Sequence, residues 1–443
     1  MNRWLKRLLA GVVVIIIILV SLIGRIDRTP LQDQEFYQEM TQTLSTLQPN
    51  VHPSGKTLQA GWEKISITPD YLMPMAGYRM RPSFETVHDS LFARIVGINN
   101  GSVSCYFISL DLLLFPPSIK EILQEKLAHE FSEKPFIYLS ATHTHNGVGG
   151  WHNSIVGEFA LGNYDDVWVN NVADNLVEKI KKIEKSMKPA QLRYWESDAS
   201  EYAENRLVKG APYDGFLRGI QLYRDDSSRA QLITYSAHAT SISKKSKSLS
   251  GDYPAALLNE LEKENTFGLF MAGMVGSHRL AGLKEQEFEL VEKAGEVLFD
   301  KLENATYDLA LDTIEIRSAH VPIQFGPAQL RITENFKLRN WAFSWLLNRL
   351  HGELTFLELG NVMFIGTPCD FSGEIYVNQK LKDLATANEK KLIITSFNGD
   401  YSGYITEDAH YEKVRKEEVM ALNWVGPYYG NYFSEMISML IKK

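Results

Sequence analysis

Two histidines separated by one residue, His143 and His145, are the part of this sequence with the clearest chemical potential. They follow an apolar run at 136–139, which predicts a buried strand, and they precede a glycine-rich turn where backbone can approach a ligand closely. On an extended chain, side chains two residues apart face the same way. Histidine is also the commonest metal ligand in proteins. The pair therefore predicts two imidazoles presented to one metal ion or one reacting group, and the plainer alternative is a loop with two solvated histidines.

Polar side chains follow other predicted strands in the same manner. His238, Asp370 and Tyr404 each come shortly after an apolar run that reads as a strand. In open parallel α/β sheets, ligands bind in the crevice outside the carboxyl ends of the strands, so we expect these side chains to meet. Two imidazoles, a carboxylate and a phenol are a credible ligand set for zinc, which activates water and polarises carbonyl groups.

Each of these residues also has a simpler explanation. His238 could be a hydrogen-bonded core histidine, Asp370 could cap the helix that follows it, and Tyr404 could be a packed aromatic with its hydroxyl satisfied. The pattern by itself leaves both interpretations open.

Strand–helix–strand patterns are expected to position these residues. The apolar run at 105–114 and the strand at 136–139 flank an amphipathic helix, which predicts a parallel βαβ unit. The pattern recurs at 232–271 and again after a hairpin at Gly360-Asn361. The predicted fold class is therefore α/β, with mixed, mainly parallel sheet covered by helices.

The N-terminal segment predicts a membrane helix. Residues 8–24 carry no charge and are dominated by Val, Ile and Leu, so they can just span a bilayer. Arg3, Lys6 and Arg7 precede this run, and the positive-inside rule then places the N-terminus in the cytoplasm. We expect a retained signal anchor at 1–28, hence a single-pass membrane protein with its body on the extracytoplasmic side.

The rest of the chain divides into a stalk at 29–57, with helical spacing of its apolar residues, and one large domain at 58–443. The net charge of −8 and the absence of a basic stripe argue against nucleic acid as a partner. Two cysteines in apolar runs predict buried thiols rather than a disulfide framework. The sequence gives no indication of the oligomeric state.

The ordered motifs resemble the neutral/alkaline (non-lysosomal) ceramidase family. The first histidine motif, the second histidine motif and the Tyr-Ser-Gly-Tyr-Ile-Thr stretch are the most specific elements. The likeness covers roughly residues 60 to 430, the catalytic domain of that family, and the motifs that carry it are 141–150, Asn205-Arg206, 237–241, 250–254, 366–370 and 401–406.

The resemblance implies roles for individual residues. It places one zinc ion on His143, His238, Asp370 and Tyr404. It also implies that His145 and Arg206 lie beside the metal, where they would steer the attacking water or bind the amide carbonyl, and Ser277 is a further candidate catalytic residue. The implied activity is that of a zinc-dependent amidohydrolase, which uses metal-activated water to cleave an N-acyl amide of a ceramide-like lipid. Together with the predicted anchor, this gives a membrane-anchored enzyme.

This sequence departs from the family pattern at the residues nearest the substrate. Asp370 stands where the family has Glu, and Arg279, in the turn at 276–281, occupies the place of the family's proposed serine. Two alternatives therefore accompany the ceramide-like reading. One is a zinc hydrolase of the same fold that cleaves another amide or an ester. The other is a degenerate member that binds lipid or glycan without turnover.

Overall fold

The computed structural model describes residues 3–78 and 80–443, so Met1 and Asn2 of the predicted anchor lie outside the described residues. Within these ranges the helices are α1 (Arg3–Leu22), α2 (Glu35–Thr46), α3 (Pro117–Glu130), α4 (Ile155–Leu161), α5 (Asp166–Ser186), α6 (Asp252–Lys263), α7 (Glu287–Glu303), α8 (Asn340–Leu347), α9 (Gly373–Asn378), α10 (Leu381–Ala387), α11 (Glu417–Met420) and α12 (Tyr429–Ile441).

The strands of the same residues form two large sheets and several short ribbons. They are β1 (Ile23–Arg25), β2 (Asn50–His52), β3 (Gln59–Ser66), β4 (Thr86–Val87), β5 (Phe92–Asn99), β6 (Ser104–Leu110), β7 (Phe136–Ala141), β8 (Lys188–Asp198), β9 (Ala203–Asn205), β10 (Phe216–Arg224), β11 (Arg229–Tyr235), β12 (Ser248–Leu249), β13 (Thr266–Ala272), β14 (His278–Leu280), β15 (Thr306–Tyr307), β16 (Ile316–Pro322), β17 (Phe336–Leu338), β18 (Glu353–Leu359), β19 (Val362–Gly366), β20 (Asp370–Phe371), β21 (Lys391–Thr395) and β22 (Tyr404–Ile405).

The two large sheets pack face to face in the middle of the molecule. The first has nine strands in the order β13-β11-β10-β8-β3-β5-β6-β7, with β15 paired to β8, and the second has five in the order β2-β16-β18-β19-β21. Side chains from both sheets form one buried cluster, in which Phe107 of β6 and Tyr138 of β7 contact Phe364 of β19. Because both faces of these strands are covered, β5 and β6 are apolar almost throughout rather than alternating.

Helices cover the outer face of each sheet. On the first sheet, α3 and α5 share one buried cluster with β5, β6 and β7, and α6 and α7 share another with β10, β11 and β13. Gly97 of β5 allows α5 to lie close, because a Cβ there would be 2.8 Å from the Ile183 side chain. On the second sheet, α2, α9, α10 and α12 form the outer layer. The architecture is therefore four layers, helix–sheet–sheet–helix.

The fold class is confirmed as mixed α/β with helix-covered sheets, but the expectation of mainly parallel sheet is wrong. In the nine-stranded sheet only β6–β7 and β11–β13 pair in parallel, and in the five-stranded sheet only β19–β21 does. The predicted units gave these three pairs correctly, as they did the β18–β19 hairpin. The prediction of mainly parallel sheet failed because strands such as β3, β8 and β10 pair antiparallel. The sequence pattern did not reveal the partners of these strands.

The N-terminal residues are tied to the body at several points. α1 is long and apolar enough to cross a membrane by length and composition, a test that an N-terminal signal sequence also passes. Its end leads into β1, which pairs with β17. In the stretch predicted as a stalk, α2 packs on α12 through Met40 and Leu44, and β2 adds to the edge of the five-stranded sheet. The two cysteines are free, buried thiols, as predicted.

We expect α2 to contribute to the stability of the body, because Leu44 is fully buried against it. Leu44→Ala should lower the free energy of unfolding by about 2–5 kcal/mol through lost burial and the cavity left behind. Chemical denaturation of the full chain measures this change. The matched control is Gln42→Ala on the exposed side of the same helix, which should stay within about 0.5 kcal/mol. Equal effects of the two substitutions would mean that α2 does not belong to the cooperative unit.

Candidate metal centre

Two imidazoles face each other at the carboxyl ends of parallel strands. His143 follows β7 and His238 follows β11, and their Nε2 atoms are 3.0 Å apart. The Nδ1 of His143 lies 2.5 Å from the Leu113 carbonyl oxygen, and that of His238 lies 2.8 Å from the Val275 carbonyl oxygen. A carbonyl oxygen only accepts, so each Nδ1 carries a proton. Neutral rings fixed in this way present two Nε2 lone pairs to one point, as histidines do around a metal ion.

A carboxylate and a phenol complete the cluster. β20 and β22 form a short parallel ribbon in which Asp370 is directly opposite Tyr404. The Tyr404 hydroxyl is 3.0 Å from the His238 Nε2, and Asp370 Oδ1 is 3.4 Å and 3.5 Å from the Nε2 atoms of His143 and His238. All four side chains are buried. The structure thus brings together the four residues that the sequence analysis assigned to the metal.

These separations fit a cation better than a set of hydrogen bonds. Four atoms held about 2.0 Å from a zinc ion at tetrahedral angles are about 3.3 Å from one another, close to the distances observed. Within the described part of the chain, Asp370 Oδ1 is buried without a hydrogen-bond partner. A buried carboxylate oxygen next to two lone pairs is costly unless a positive charge compensates it. Burial also holds the pKa of His238 well below its usual value, which keeps this ring unprotonated.

His145 is also part of the group of buried histidines. Its Nε2 is 3.3 Å from the Nε2 of His143, and His143, His145 and His238 together form a set that could hold a metal ion. Burial, and then the neighbouring His143, lower the pKa of His145 well below its usual value. Its ring packs on Tyr78, with centroids 4.9 Å apart. It therefore lies beside the His143–His238 pair and not between Asp370 and Tyr404.

The two histidines of the first motif do not sit on extended chain, as the spacing had suggested. His143 has a φ of +63°, in the left-handed region that residues with a side chain seldom adopt. The ring of His143 stacks on Phe397, with centroids 4.2 Å apart and planes 15° from parallel. The backbone turn brings the His143 ring towards β11 and β21. The geometry of the cluster therefore depends on a locally strained backbone, which the alternation of side chains along an extended strand does not predict.

Arg206 lies at the border of the cluster, held by an acidic partner. Its guanidinium forms an ion pair with Glu418 and lies 5.9 Å from the centroid of the Tyr404 ring. The sequence analysis assigned no role to Glu418, which lies 212 positions further along the chain. Lys416 donates to the carbonyl oxygen of Arg206 from the same segment. The segment 416–418 therefore fixes Arg206 beside the phenol of Tyr404.

Ser277 does not join the cluster. It is fully buried, and its Oγ accepts a hydrogen bond from the backbone N–H of Glu374 at 3.2 Å. Its Oγ is also 2.9 Å from Nδ1 of His278, whose Nε2 accepts from the Asp214 N–H. The His278 proton is therefore on Nδ1, and this imidazole donates to Ser277 and cannot act as its base. This arrangement favours a structural role for Ser277 over the predicted catalytic one.

Sequence reasoning assigned no role to Tyr401, although its motif contains it. The Tyr401 hydroxyl donates to Asp370 Oδ2 at 2.7 Å and leaves Oδ1 to face the histidines. Such a partner orients a ligand carboxylate. The signal available was its position three residues before Tyr404 in the motif.

A second loop supports the histidine stretch from the opposite side. Thr144 donates from Oγ1 to the Ser250 carbonyl oxygen at 2.6 Å, and Asn146 donates from Nδ2 to the Ser248 carbonyl oxygen at 3.0 Å. Asp252, at the start of α6, accepts from the Ser241 hydroxyl at 2.5 Å. Burial raises the pKa of Asp252 to about 6. This loop therefore links both histidine motifs to α6 through buried polar groups.

Comparison with known proteins agrees with this geometry. The sequence profile of the N-terminal domain of neutral/alkaline non-lysosomal ceramidases matches residues 60–277. Residues 60–277 belong to the neutral/alkaline non-lysosomal ceramidase family. The resemblance drawn from the motifs is thereby confirmed, and the matched stretch contains His143, His145, Arg206 and His238.

Solved ceramidase structures share the fold over most of the chain. The neutral ceramidase from Pseudomonas aeruginosa matches with a TM-score of 0.74 and 15% sequence identity, over 87% of this chain and 74% of that one. A ceramidase solved in complex with C2 matches with a TM-score of 0.76 and 14% identity, over 87% of this chain and 75% of that one. A coverage of 87% of the chain is more than the residues up to 277 could supply, so the shared fold extends beyond the stretch that the sequence profile matches.

We expect the purified full chain to bind one equivalent of metal through this cluster. His238→Ala should abolish tight binding, because it removes one of the four proposed ligands. Tyr401→Phe should weaken metal affinity by about 10–100-fold, the usual cost of losing a partner that orients a ligand. Elemental analysis and competition with a chelator measure both effects. His129→Ala, on the exposed face of α3, is the matched control. Unchanged metal content in His238→Ala would contradict the assignment.

The pKa of Asp252 predicts a pH dependence of stability. The folded state holds this proton with a pKa of about 6, against an ordinary value of 3.8, so protonation favours folding. The contribution is present below about pH 4 and is lost as the pH rises through 6, and it amounts to at most about 3 kcal/mol.

Asp252→Asn should remove this part of the pH dependence, since Asn also tolerates the positive φ of 59° at this position. Denaturant unfolding of the variant and the wild-type chain at pH values from 4 to 7 gives the difference in free energy. Asp70→Asn, at an exposed carboxylate, controls for the loss of a charge. If the difference between Asp252→Asn and wild type does not vary with pH, Asp252 does not titrate in this range.

Proposed function

We propose that this protein is a membrane-anchored, zinc-dependent amidohydrolase that cleaves the N-acyl amide of a ceramide-like lipid. The observation that carries the proposal is the cluster of His143, His238, Asp370 and Tyr404, whose ligand atoms are spaced as around a tetrahedral ion. Membership of residues 60–277 in a ceramidase family supplies the reaction class.

Zinc is the ion that this donor set fits. Two imidazole nitrogens, one carboxylate oxygen and one phenol oxygen combine the borderline and hard ligands that zinc accepts. Bound zinc supplies Lewis acidity, which makes water a competent nucleophile near neutral pH and polarises a carbonyl group. His143 and His238 would hold the ion with rings fixed by Leu113 and Val275, while Tyr401 orients the carboxylate of Asp370.

The residues beside the ligands have separate tasks in this proposal. His145 is neutral because burial lowers its pKa, so its ring can accept a proton from the attacking water. Arg206 would donate hydrogen bonds to the amide oxygen as negative charge develops on it. The ion pair with Glu418 holds the guanidinium near Tyr404 and so preorganises that donor. An acid must then protonate the departing amine, and in this proposal His145, which carries the transferred proton, would supply it.

A lipid substrate agrees with the apolar helix at the N-terminus. If α1 spans a bilayer with the body outside, the metal centre and a membrane-resident amide lie on the same surface of the cell. The charge asymmetry of Arg3 and Arg7 at the start of α1 supports this orientation. A second candidate, hydrolysis of a different amide or an ester on the same centre, is favoured by the buried Ser277 and by Arg279 in the place of the family's serine.

Hydrolysis of N-acylsphingosine by the full-length, zinc-loaded protein in detergent tests the proposal. Arg206→Gln should lower kcat by about 10²–10³-fold with a small effect on KM, since the bond it makes to the amide oxygen strengthens as charge develops. His143→Ala should lose all activity together with the metal. His129→Ala should behave as the wild type.

A panel of N-acyl amides and esters separates the candidates. Turnover of simple N-acyl amino acids or esters, with none of N-acylsphingosine, would favour the second substrate class. A zinc-loaded protein that hydrolyses none of these compounds would contradict the proposed enzyme and indicate a binding protein.

A further inference from the structure

An apolar patch lies at the point where α1 joins the body. α4 and α8 pack on each other, and each exposes two large apolar side chains one helical turn apart. These are Ile155 and Phe159 on α4, exposed by 51% and 69%, and Trp341 and Trp345 on α8, exposed by 54% and 65%. Residues four apart share one side of a helix, so each helix presents a continuous apolar stripe. We call these four residues the tryptophan face.

We propose that the tryptophan face lies in the interfacial layer of the lipid bilayer and holds the metal centre against the membrane surface. The inference rests on the proposed insertion of α1, and it adds a second, peripheral contact that the anchor alone does not require. Its occupant is the headgroup and upper acyl-chain region of a membrane.

The attachment of α1 fixes the location of this surface. β1, which continues α1, pairs with β17, and β17 leads directly into α8. Arg339, the residue before α8, donates from its backbone N–H to the Leu22 carbonyl oxygen at 2.8 Å and from Nε to the Ile23 carbonyl oxygen at 2.8 Å. The end of α1 and the beginning of α8 are therefore in hydrogen-bond contact. If α1 spans the bilayer, α8 must lie at its surface.

The composition of α8 suits that depth. Trp is enriched where membrane meets water, because its ring is amphipathic and sits at the level of the headgroups. Exposed polar residues, Arg339 and Asn340, begin the helix, and Asn348 and Arg349 follow it. A short apolar stripe between polar ends can lie flat in the interface but cannot cross it. Large exposed apolar patches on proteins usually mark an interaction site. A bilayer spanned by α1 would lie next to this patch, because the end of α1 is hydrogen-bonded to the residue before α8.

The buried side of α8 connects the surface to the metal centre. Phe343 contacts Trp424, with ring centroids 5.9 Å apart, and Trp424 contacts Tyr401 at 5.1 Å. Tyr401 in turn donates to Asp370. On the other helix, the Leu161 carbonyl oxygen accepts from the Gly150 N–H at 2.9 Å, within the stretch that carries the histidines. Both helices of the tryptophan face thus pack on elements that adjoin the metal centre, so a membrane at this face would lie on the same side of the body as the centre.

A fluorescent label at single introduced cysteines tests the contact in vesicles that contain the full chain. Cys105 and Cys369 are buried, so label attaches to the introduced thiol. Trp345→Cys reports on the tryptophan face, and Ile15→Cys reports on α1. Leu309→Cys is the control, since Leu309 is the most exposed large apolar residue of the described chain and follows β15 on the nine-stranded sheet. Each variant carries an environment-sensitive dye, in vesicles with or without bromine on the upper acyl chains.

For position 15, in the middle of the apolar run at 8–24, the bromine is placed near the ends of the acyl chains, at the depth of that position. We expect a blue shift and bromine quenching at positions 345 and 15, and neither at position 309. Quenching at 15 without quenching at 345 would overturn the proposal while leaving the anchor intact. Quenching at neither would overturn both. Protection of position 345 from a water-soluble quencher without bromine quenching would also overturn it, because it would indicate a protein partner on the same face.

An activity measurement separates this inference from the proposed reaction. Trp341→Ser combined with Trp345→Ser should lower hydrolysis of substrate embedded in vesicles several-fold while leaving hydrolysis of the same substrate in detergent micelles unchanged. Lys244→Ser combined with Lys245→Ser, in an exposed loop, is the control for two surface substitutions. Equal losses in vesicles and micelles would mean that the two tryptophans support the fold and not membrane contact. The label experiment needs no activity, so it decides the membrane contact even if the substrate proves to be different.

Discussion

The buried carboxylate of Asp370 is the constraint on which the centre depends. One of its oxygens is satisfied by Tyr401, and the other faces the Nε2 atoms of His143 and His238, which point at each other with lone pairs. Without a cation, the carboxylate of Asp370 would be a buried charge with no opposite charge bound to it, and the Nε2 lone pairs of His143 and His238 would face each other at close range. Both are unfavourable in the low dielectric of the protein interior. The surrounding structure nevertheless holds it: the imidazole protons are fixed by the Leu113 and Val275 carbonyls, and the rings cannot turn away without losing those bonds. A cluster held in this way against its own electrostatics could hold a metal ion.

The two-sheet core explains how four side chains from distant parts of the chain, the proposed ligands, reach one point. β7 and β11 belong to the nine-stranded sheet, and β19 and β21 belong to the five-stranded sheet. His143 and His238 follow the first two strands, and Asp370 and Tyr404 follow the second two. Because the sheets pack face to face, their carboxyl-end loops converge from both layers. Hydrogen bonds between the layers fix this alignment, for example from the Ser140 hydroxyl to the Ser396 carbonyl oxygen at 3.1 Å. The proposed metal centre thus lies at the junction of the two sheets, and its geometry depends on how the two layers pack.

The sequence predicted the parts of this site that depend on local order. Polar residues at the ends of apolar runs identified His143, His238, Asp370 and Tyr404, and the three parallel pairs were found because a helix separates their strands. The short-range pattern of residues does not identify the partner of an antiparallel strand. For this reason the sequence did not reveal the two-layer packing of the sheets. It also does not contain long-range pairs such as Arg206 with Glu418, 212 positions apart. The sequence did not predict the positive φ of His143 for a different reason. Surrounding contacts, among them the stacking on Phe397, outweigh the backbone preference of a histidine.

The departure of the 276–281 turn from the family pattern has a physical explanation in its neighbours. Ser277 and His278 are fully buried and bonded to Glu374 and Asp214, while Asp214 also pairs with the buried guanidinium of Arg218 through both oxygens. Arg279 is turned outward, where it pairs with Glu204 on the neighbouring strand β9. A serine in the place of Arg279 would occupy a surface strand and not the metal cluster. The turn therefore secures β14 against β9 and, through the Ser277 carbonyl that accepts from the Arg206 N–H at 2.8 Å, positions the guanidinium at the border of the centre. The same turn also contacts the backbone beside two of the clustered residues, because the His278 carbonyl oxygen accepts from the His238 N–H at 3.3 Å and the Gly276 N–H donates to the Phe371 carbonyl oxygen at 2.9 Å.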